Sequence, residues 1–355
     1  LTAIHNGSLP PQESGFVCNS WFGKVHLEMH WWHAAHFALW GRPEILARSL
    51  GWYEQILPVA KDIARRQGYS GVRWPKMTGP AGISSPSGVG EFLLWQQPHL
   101  IYFAELLYRA EPSQKTLTQC AVLVESTAEF MADVVQWDND GQTCHLGPPL
   151  IPAQENYDRR TTRNPTFELA YWHWALETAQ RWRERLGESR RADWDRVLAR
   201  LAQPTIVDGR YAAVATPPFT NTSDHPSMLA ALGVLPPSRL IESQTMRRTA
   251  AWVDEHWQWK RTWGWDFPMA AMTHARCGDP EAAVKVLLRD SPKNTYLPNG
   301  HNHQEDRLPT YLPGNGGMLA AVAMMTAGWD GAPEGPAPGF PADWNVRYEG
   351  LRPMP

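Results

Sequence analysis

Apolar residues recur along this chain at spacings of three and four, and stretches that alternate apolar with polar are almost absent, so the pattern predicts helices joined by loops. KVHLEMHWWHAAHFALWG, residues 24–41, reads as a helix stopped at Gly41-Arg42-Pro43. The next, 41–68, carries apolar positions such as Ile45, Leu46, Leu50, Tyr53, Ile56 and Ile63, and ends at Gly68. Further helices are predicted near 91–110, 113–137, 164–186, 190–202, 226–232, 238–257, 265–277, 280–288 and 317–327. About eleven helical segments, with short and long loops in alternation, read as helical hairpins packed in sequence. Twelve helices arranged as six hairpins around one axis, an (α/α)6 barrel of the all-α class, would use this length, and no fixed-period repeat supports a solenoid. Residues 1–20 are then expected to be a linker or the end of a missing domain, 21–330 the barrel and 331–355 a Pro/Gly-rich tail. The long loops should gather at one end of the barrel, and 23–32, 151–163 and 299–317 carry unusual chemistry.

Composition narrows the function. With 33 basic against 36 acidic residues the net charge is -3, which gives no global pull toward nucleic acid or an anionic membrane. No apolar run is long enough for a membrane span, and the opening LTAIHNGSLPPQESG lacks the parts of a signal peptide. A chain opening at Leu1 is expected to be a fragment or a processed product. Cys18, Cys120, Cys144 and Cys277 are scattered without CxxC spacing, so buried free thiols are expected. The outlier is nineteen Trp, most of them core residues; a pocket that exposes a few suits the apolar faces of sugar rings.

Three stretches could carry chemistry. In IPAQENYDRRTTRNPTFELAYWHWAL, Glu155 is displayed on a Pro-punctuated loop before a Trp-rich helix that Asn164-Pro165 should open. A loop carboxyl among aromatic and amide residues can have its pKa raised by desolvation, as a general acid at neutral pH requires; a solvated surface glutamate is the plain alternative. GKVHLEMHWWHAAH holds Lys24, His26, Glu28, His30, His33 and His36. On a helix, His26, His30 and His33 would share a face and could bind a metal, but the segment is not HExxH and no metal is expected. If its start is extended, Lys24 and His26 project to one side and can meet a substrate or a water. In RTWGWDFP, Asp266 is a helix-capping carboxylate, a functional one, or both. HNHQEDRLPTYLPGNGG brings His301, His303 and Asn315 beside glycines that let backbone approach a ligand closely.

Taken in order, these motifs resemble the inverting glycoside hydrolases with an (α/α)6 barrel, most closely the bacterial 1,2-α-L-fucosidase family and more distantly the maltose-phosphorylase-like family. KVHLEMHWW looks like the fucosidase segment N-I-N-x-Q-M-N-Y-W, and PAQEN before NPTFELAYWHWAL looks like the general-acid loop of the phosphorylase-like family. TWGWDFPMAAMTHARCGDPEAAVKVL is similar to G-W-S-x-A-W…A-R-L-G-D-G-E-R-A, RLPTYLPGNGG to R-L-P…D-G-N-F-G, and PGFPADWNVRYEGL to L-P-x-A-W-P-x-G-x-V-x-G-L. The likeness spans about 21–351.

The resemblance implies an exo-acting, inverting glycoside hydrolase with Glu155 as acid and no cofactor, in a periplasmic or extracellular setting, with an N-terminal β-sandwich absent or on another chain. The two asparagines and the aspartate that hold the attacking water in fucosidases are matched here by Lys24, His26 and Pro313, so the usual base is missing. Asp266, standing where the family has serine, is the first replacement and Glu28 the second. Lys24, His26, Trp32, Asn156, Trp265, His301, His303 and Asn315 are then expected around the terminal sugar, with Lys24 and His26 suited to an anionic sugar such as a uronic acid. A phosphorylase, which needs no base for water, a lyase, and an inactive carbohydrate-binding barrel are the rival readings.

Overall fold

In a computed structural model the chain is described at residues 9, 10, 12–14, 18, 21 and 24–355. Eleven α-helices occupy the described residues: α1 (His30–Leu39), α2 (Pro43–Arg66), α3 (His99–Ala110), α4 (Gln114–Asp133), α5 (Thr166–Arg185), α6 (Ala192–Arg200), α7 (Ala230–Gly233), α8 (Ser243–His256), α9 (Asp266–Arg276), α10 (Pro280–Leu287) and α11 (Leu312–Ala327). The six odd-numbered helices form an inner ring, each packed on the next, and α11 closes the ring against α1. Outside it, α2 lies on α1 and α3, α4 on α3 and α5, α6 on α5, and α8 and α10 on α9. This is the (α/α)6 arrangement that the apolar pattern predicts.

Inner and outer helices differ in sequence for a physical reason. Every residue of α1 and of α9 is buried, as a helix enclosed on all sides requires. The outer α6 buries only Trp194, Val197 and Leu198, and α10 only Ala283, Val286 and Leu287, single apolar stripes with a wet opposite face. Among the described residues no helix takes the outer place beside α11. Residues 331–355, expected as a tail, lie back on the barrel instead: Gly339 N donates to Met325 O at 2.8 Å, Arg352 N to Leu39 O at 2.8 Å, and Met354 is fully buried. No helix among the described residues is long and apolar enough to cross a membrane.

Element boundaries shift where loop chemistry overrides helical periodicity. Residues 24–29 are not helical: β1 (Val25–His26) pairs antiparallel with β2 (Met77–Thr78), which follows α2. Residues 91–98 are turns and a bridge, so α3 starts at His99. Asn164 does not cap α5; at φ 49° its side chain turns back to accept from Leu146 N at 2.9 Å, and the helix opens after Pro165. Three further two-residue hairpins complete the strands: β3 (Gln136–Trp137) with β4 (Cys144–His145), β5 (Ile206–Val207) with β6 (Arg210–Tyr211), and β7 (Thr295–Tyr296) with β8 (Asn302–His303).

The glycines in the first turns of α11 let neighbouring elements, not a ligand, approach closely. A Cβ on Gly316 would stand 1.8 Å from Trp32 O, so only glycine lets α11 sit this close to α1 and close the ring.

Candidate active site

All six inner helices run the same way, and the segments before their N-termini surround one cavity of about 350 Å³. Glu28 and Met29 enter it ahead of α1, Lys76 ahead of α3 and Glu155 with Asn156 ahead of α5. Asp224 and His225 precede α7, Trp263 precedes α9 and Tyr311 precedes α11; Glu13 and Trp21 complete the wall.

The first wall is built by the pairing of β1 with β2. Leu27 N and Glu28 N both donate to Lys76 O, at 3.0 and 3.2 Å, which fixes the two side chains side by side. Lys76 Nζ then reaches Glu28 Oε2 at 3.2 Å and also Glu155 Oε1. Burial pushes the Glu28 carboxyl up to about 7 even though Lys76 pulls it down. Burial acts against the Lys76 ammonium too, but Glu28 and Glu155 outweigh it and raise its pKa, so Lys76 is charged. Glu155 is the more open partner, its side chain 29% exposed against 4% for Glu28.

Hydrogen bonds join the loop of Glu155 to α5 and to the segment that carries Asp224 and His225. Ala153 N donates to Glu168 Oε1 of α5 at 2.7 Å. Gln154 Nε2 donates to Asn221 O and Ser223 O, both at 2.6 Å, Asn156 Nδ2 to Ser223 O at 3.2 Å, and Asn221 N to the Tyr157 hydroxyl at 2.9 Å. The strand of chain so held leads directly into Asp224 and His225. Asp224 has φ 67°, a left-handed conformation that aspartate tolerates better than most residues. Its carbonyl accepts from Trp257 Nε1 at 2.7 Å and its carboxylate from Trp263 Nε1 at 3.1 Å. His225 stands between two carboxylates, with Nδ1 at 3.0 Å from Asp266 and Nε2 at 3.4 Å from Asp224. Burial alone would lower its pKa, but Asp224 and Asp266 outweigh that and carry it to about 9, so His225 is an imidazolium at neutral pH.

Comparison with solved structures places this architecture. A structure described as a putative kojibiose phosphorylase from the human microbiome superposes at a TM-score of 0.70, with 9% identity over 90% of this chain and 52% of its own; the chain thus spans about half of that protein. A wild-type glycosidase superposes at 0.61 and a glycosidase variant in complex with glucose at 0.62, each 12% identical over 90% of this chain and 93% of theirs. The chain shares the helical-barrel fold of these solved structures. No protein-family model matches it, and no curated protein matches its sequence.

The expected site residues separate into three groups. Glu155, Glu28 and Asn156 are brought together at the cavity. Asp266 does not line it: the residue is 0% exposed, and its oxygens accept from Trp263 N at 2.8 Å and face His225, so burial keeps it from the cavity. Trp265 and Trp32 are likewise interior. Trp265 stacks on His225 at 4.2 Å and Trp32 on Trp265 at 4.7 Å, a column that supports the imidazole from inside the barrel. The third group lies off the cavity. Lys24 Nζ donates to Pro86 O at 3.4 Å, and His26 is buried with neither ring nitrogen hydrogen-bonded. Burial first, then Lys76 and Lys24, lowers the His26 pKa to about 3, so it is neutral and cannot serve an anionic sugar. His301 meets Thr310 Oγ1 at 3.0 Å, His303 ends β8, and Asn315 accepts from Asn302 N at 3.0 Å, all closing the hairpin behind Tyr311. Because His26 is in a strand, the helical face once open to a metal does not form, and among the described residues no cluster is placed to hold one.

Sequence reasoning missed Glu13, Lys76, Asp224 and His225. Asp224-His225-Pro226 has the same form as the Glu155 loop, an acidic residue and a proline ahead of an inner helix, and that signal was available. Lys76 in RWPKM has no such signal; only the β1–β2 register puts it between two glutamates. Glu13 falls in the stretch expected to be linker.

Proposed function

We propose that this chain is a glycoside-cleaving enzyme that takes a terminal sugar into the cavity and cleaves its bond with inversion. The observation that carries the reading is a pair of carboxylates lining one aromatic-lined cavity, Glu155 beside Lys76 and Asp224 beside His225. Glu155, the exposed member of its wall, donates the proton to the glycosidic oxygen. Asp224 accepts the proton of a water that attacks the anomeric carbon from the other face. Among the carboxylates expected for the base, Asp266 is fully buried off the cavity and Glu28 shares Lys76 with Glu155, so an ammonium stands where an inverting pair needs water. Asp224 has its side chain 18% exposed and its orientation set by the Trp263 indole. Asp266 acts as a positioning residue, holding the His225 cation beside Asp224. Trp21, Trp263 and Tyr311 offer ring faces to the sugar.

A second reading, phosphorolysis, is favoured by one feature: two cations, Lys76 and His225, face a cavity ringed by inner-helix N-termini, a setting that suits a phosphate. One experiment separates them. Kojibiose and other terminal α-linked disaccharides are incubated with and without inorganic phosphate, and the released anomer is followed by proton NMR for wild type, Glu155→Gln and Asp224→Asn. Inverted product without phosphate, lost in both variants, supports the hydrolase. Turnover that requires phosphate and survives Asp224→Asn supports the phosphorylase, and no turnover of any glycoside sinks both.

A further inference from the structure

Glu13 is 4% exposed, lines the cavity, and belongs to none of the pairs described above. Its backbone is tied to the barrel, since Leu312 N at the start of α11 donates to Glu13 O at 2.8 Å, and its neighbours Gln12 and Ser14 are buried as well. Its Oε2 is buried without a hydrogen-bond partner. The charged groups facing it are Glu28, Lys76, Glu155 and His225. Both cations are engaged elsewhere, Lys76 by Glu28 and Glu155, His225 by Asp224 and Asp266. A buried polar group left unpaired costs free energy, so a wall that presents one to a ligand cavity is complementary to something the ligand brings.

We infer that Glu13 is a specificity-determining residue whose carboxyl group hydrogen-bonds one hydroxyl of the bound sugar; this rests on the glycoside reading above. Burial holds the Glu13 pKa well above the usual carboxylate range and so favours the protonated form, which has one donor and free acceptor capacity. A sugar hydroxyl offers the matching acceptor and donor, whereas a uronate would bring a further carboxylate to a wall that already holds the Glu13, Glu28 and Glu155 side chains. Glu13 thus selects a neutral sugar, and it discriminates by position: a sugar lacking the contacted hydroxyl leaves the acid unpaired again.

The test is binding, read by calorimetry, of D-glucose, D-mannose, D-galactose and L-fucose, then of the monodeoxy forms of the best binder. In wild type one deoxy form should bind about 10- to 100-fold more weakly than the parent, the others much less so. In Glu13→Ala that gap should collapse to the level of the other positions, with the thermal midpoint retained. Glu13→Gln, neutral and able to donate and accept, should keep the gap. Equal losses for every deoxy form in wild type and Glu13→Ala, or a gap lost equally in Glu13→Gln, would overturn the assignment. If none of the sugars binds wild type while the chain is folded, the glycoside reading itself has failed and Glu13 loses its hydroxyl with it.

Discussion

Glu28 and Glu105 are two glutamates sealed into the same barrel at opposite ends, 3% and 1% exposed, and they are in opposite electrostatic states. Glu105, near the C-terminal end of α3, accepts from Arg109 Nε at 3.0 Å and Arg185 Nη1 at 2.6 Å; burial raises its pKa, but these two guanidiniums more than offset that and hold it below the usual range. Glu28, ahead of α1, shares one ammonium with Glu155 and is carried up to about 7. Where cations outnumber the carboxylate they embrace, the charge is structural. Where carboxylates outnumber cations, the fold keeps protons and open valences in reserve, and that is the end with the cavity.

This contrast can be tested from its largest effect downward. Glu155→Gln should lower kcat/KM by about 10²- to 10⁴-fold, the usual contribution of a general acid, without lowering the thermal midpoint, because the variant removes the repulsion between Glu155 and Glu28, which share one ammonium. Glu105→Gln should do the reverse. Breaking the buried cluster should cost about 3–5 kcal/mol in denaturant unfolding, with kcat/KM of the folded protein unchanged. Parallel losses of stability and activity in both variants would erase the distinction between the two ends.

The pH dependence of stability sharpens it. Glu28 keeps in the folded state a proton that the unfolded chain sheds above its ordinary value of 4.5. Its effect is therefore full stability below that value and a decline as pH rises toward about 7, of order 3 kcal/mol for such a shift. Glu168, also raised to about 7 by burial, adds a decline of the same sign. Glu105, being depressed, contributes stability above its unfolded value and loses it as pH falls through its folded value. Thermal midpoints between pH 4.5 and 8 should thus fall less steeply in Glu28→Gln than in wild type. The smallest effect belongs to the outer layer: Ser113 Oγ caps α4 by accepting from Thr116 N at 3.1 Å. Ser113→Ala should cost about 1 kcal/mol and leave turnover alone.

The helices were legible because their signal is local. Continuous burial of α1 and α9 against the single stripes of α6 and α10 can be read from spacing, and so can the loop that displays Glu155. The start of α1 was misjudged because residues 24–29 have helix-compatible spacing yet pair with β2, a partner some fifty residues away that periodicity cannot register. Asp266, Trp32 and Trp265 looked like ligand-facing residues for a related reason. Polar or aromatic residues at a helix start are equally good inside or at the rim, and which it is depends on how the neighbouring helices close over them.

The sequence by itself determined an all-α chain of helical hairpins with a loop that displays Glu155 ahead of its fifth helix, since helical periodicity, prolines and glycines act over a few residues. Only the tertiary structure decided that Glu13, Lys76 and Asp224 meet Glu155. Closing α11 onto α1 brings six helix N-termini to one mouth, and the proton affinities there follow from burial and neighbours that no local pattern encodes.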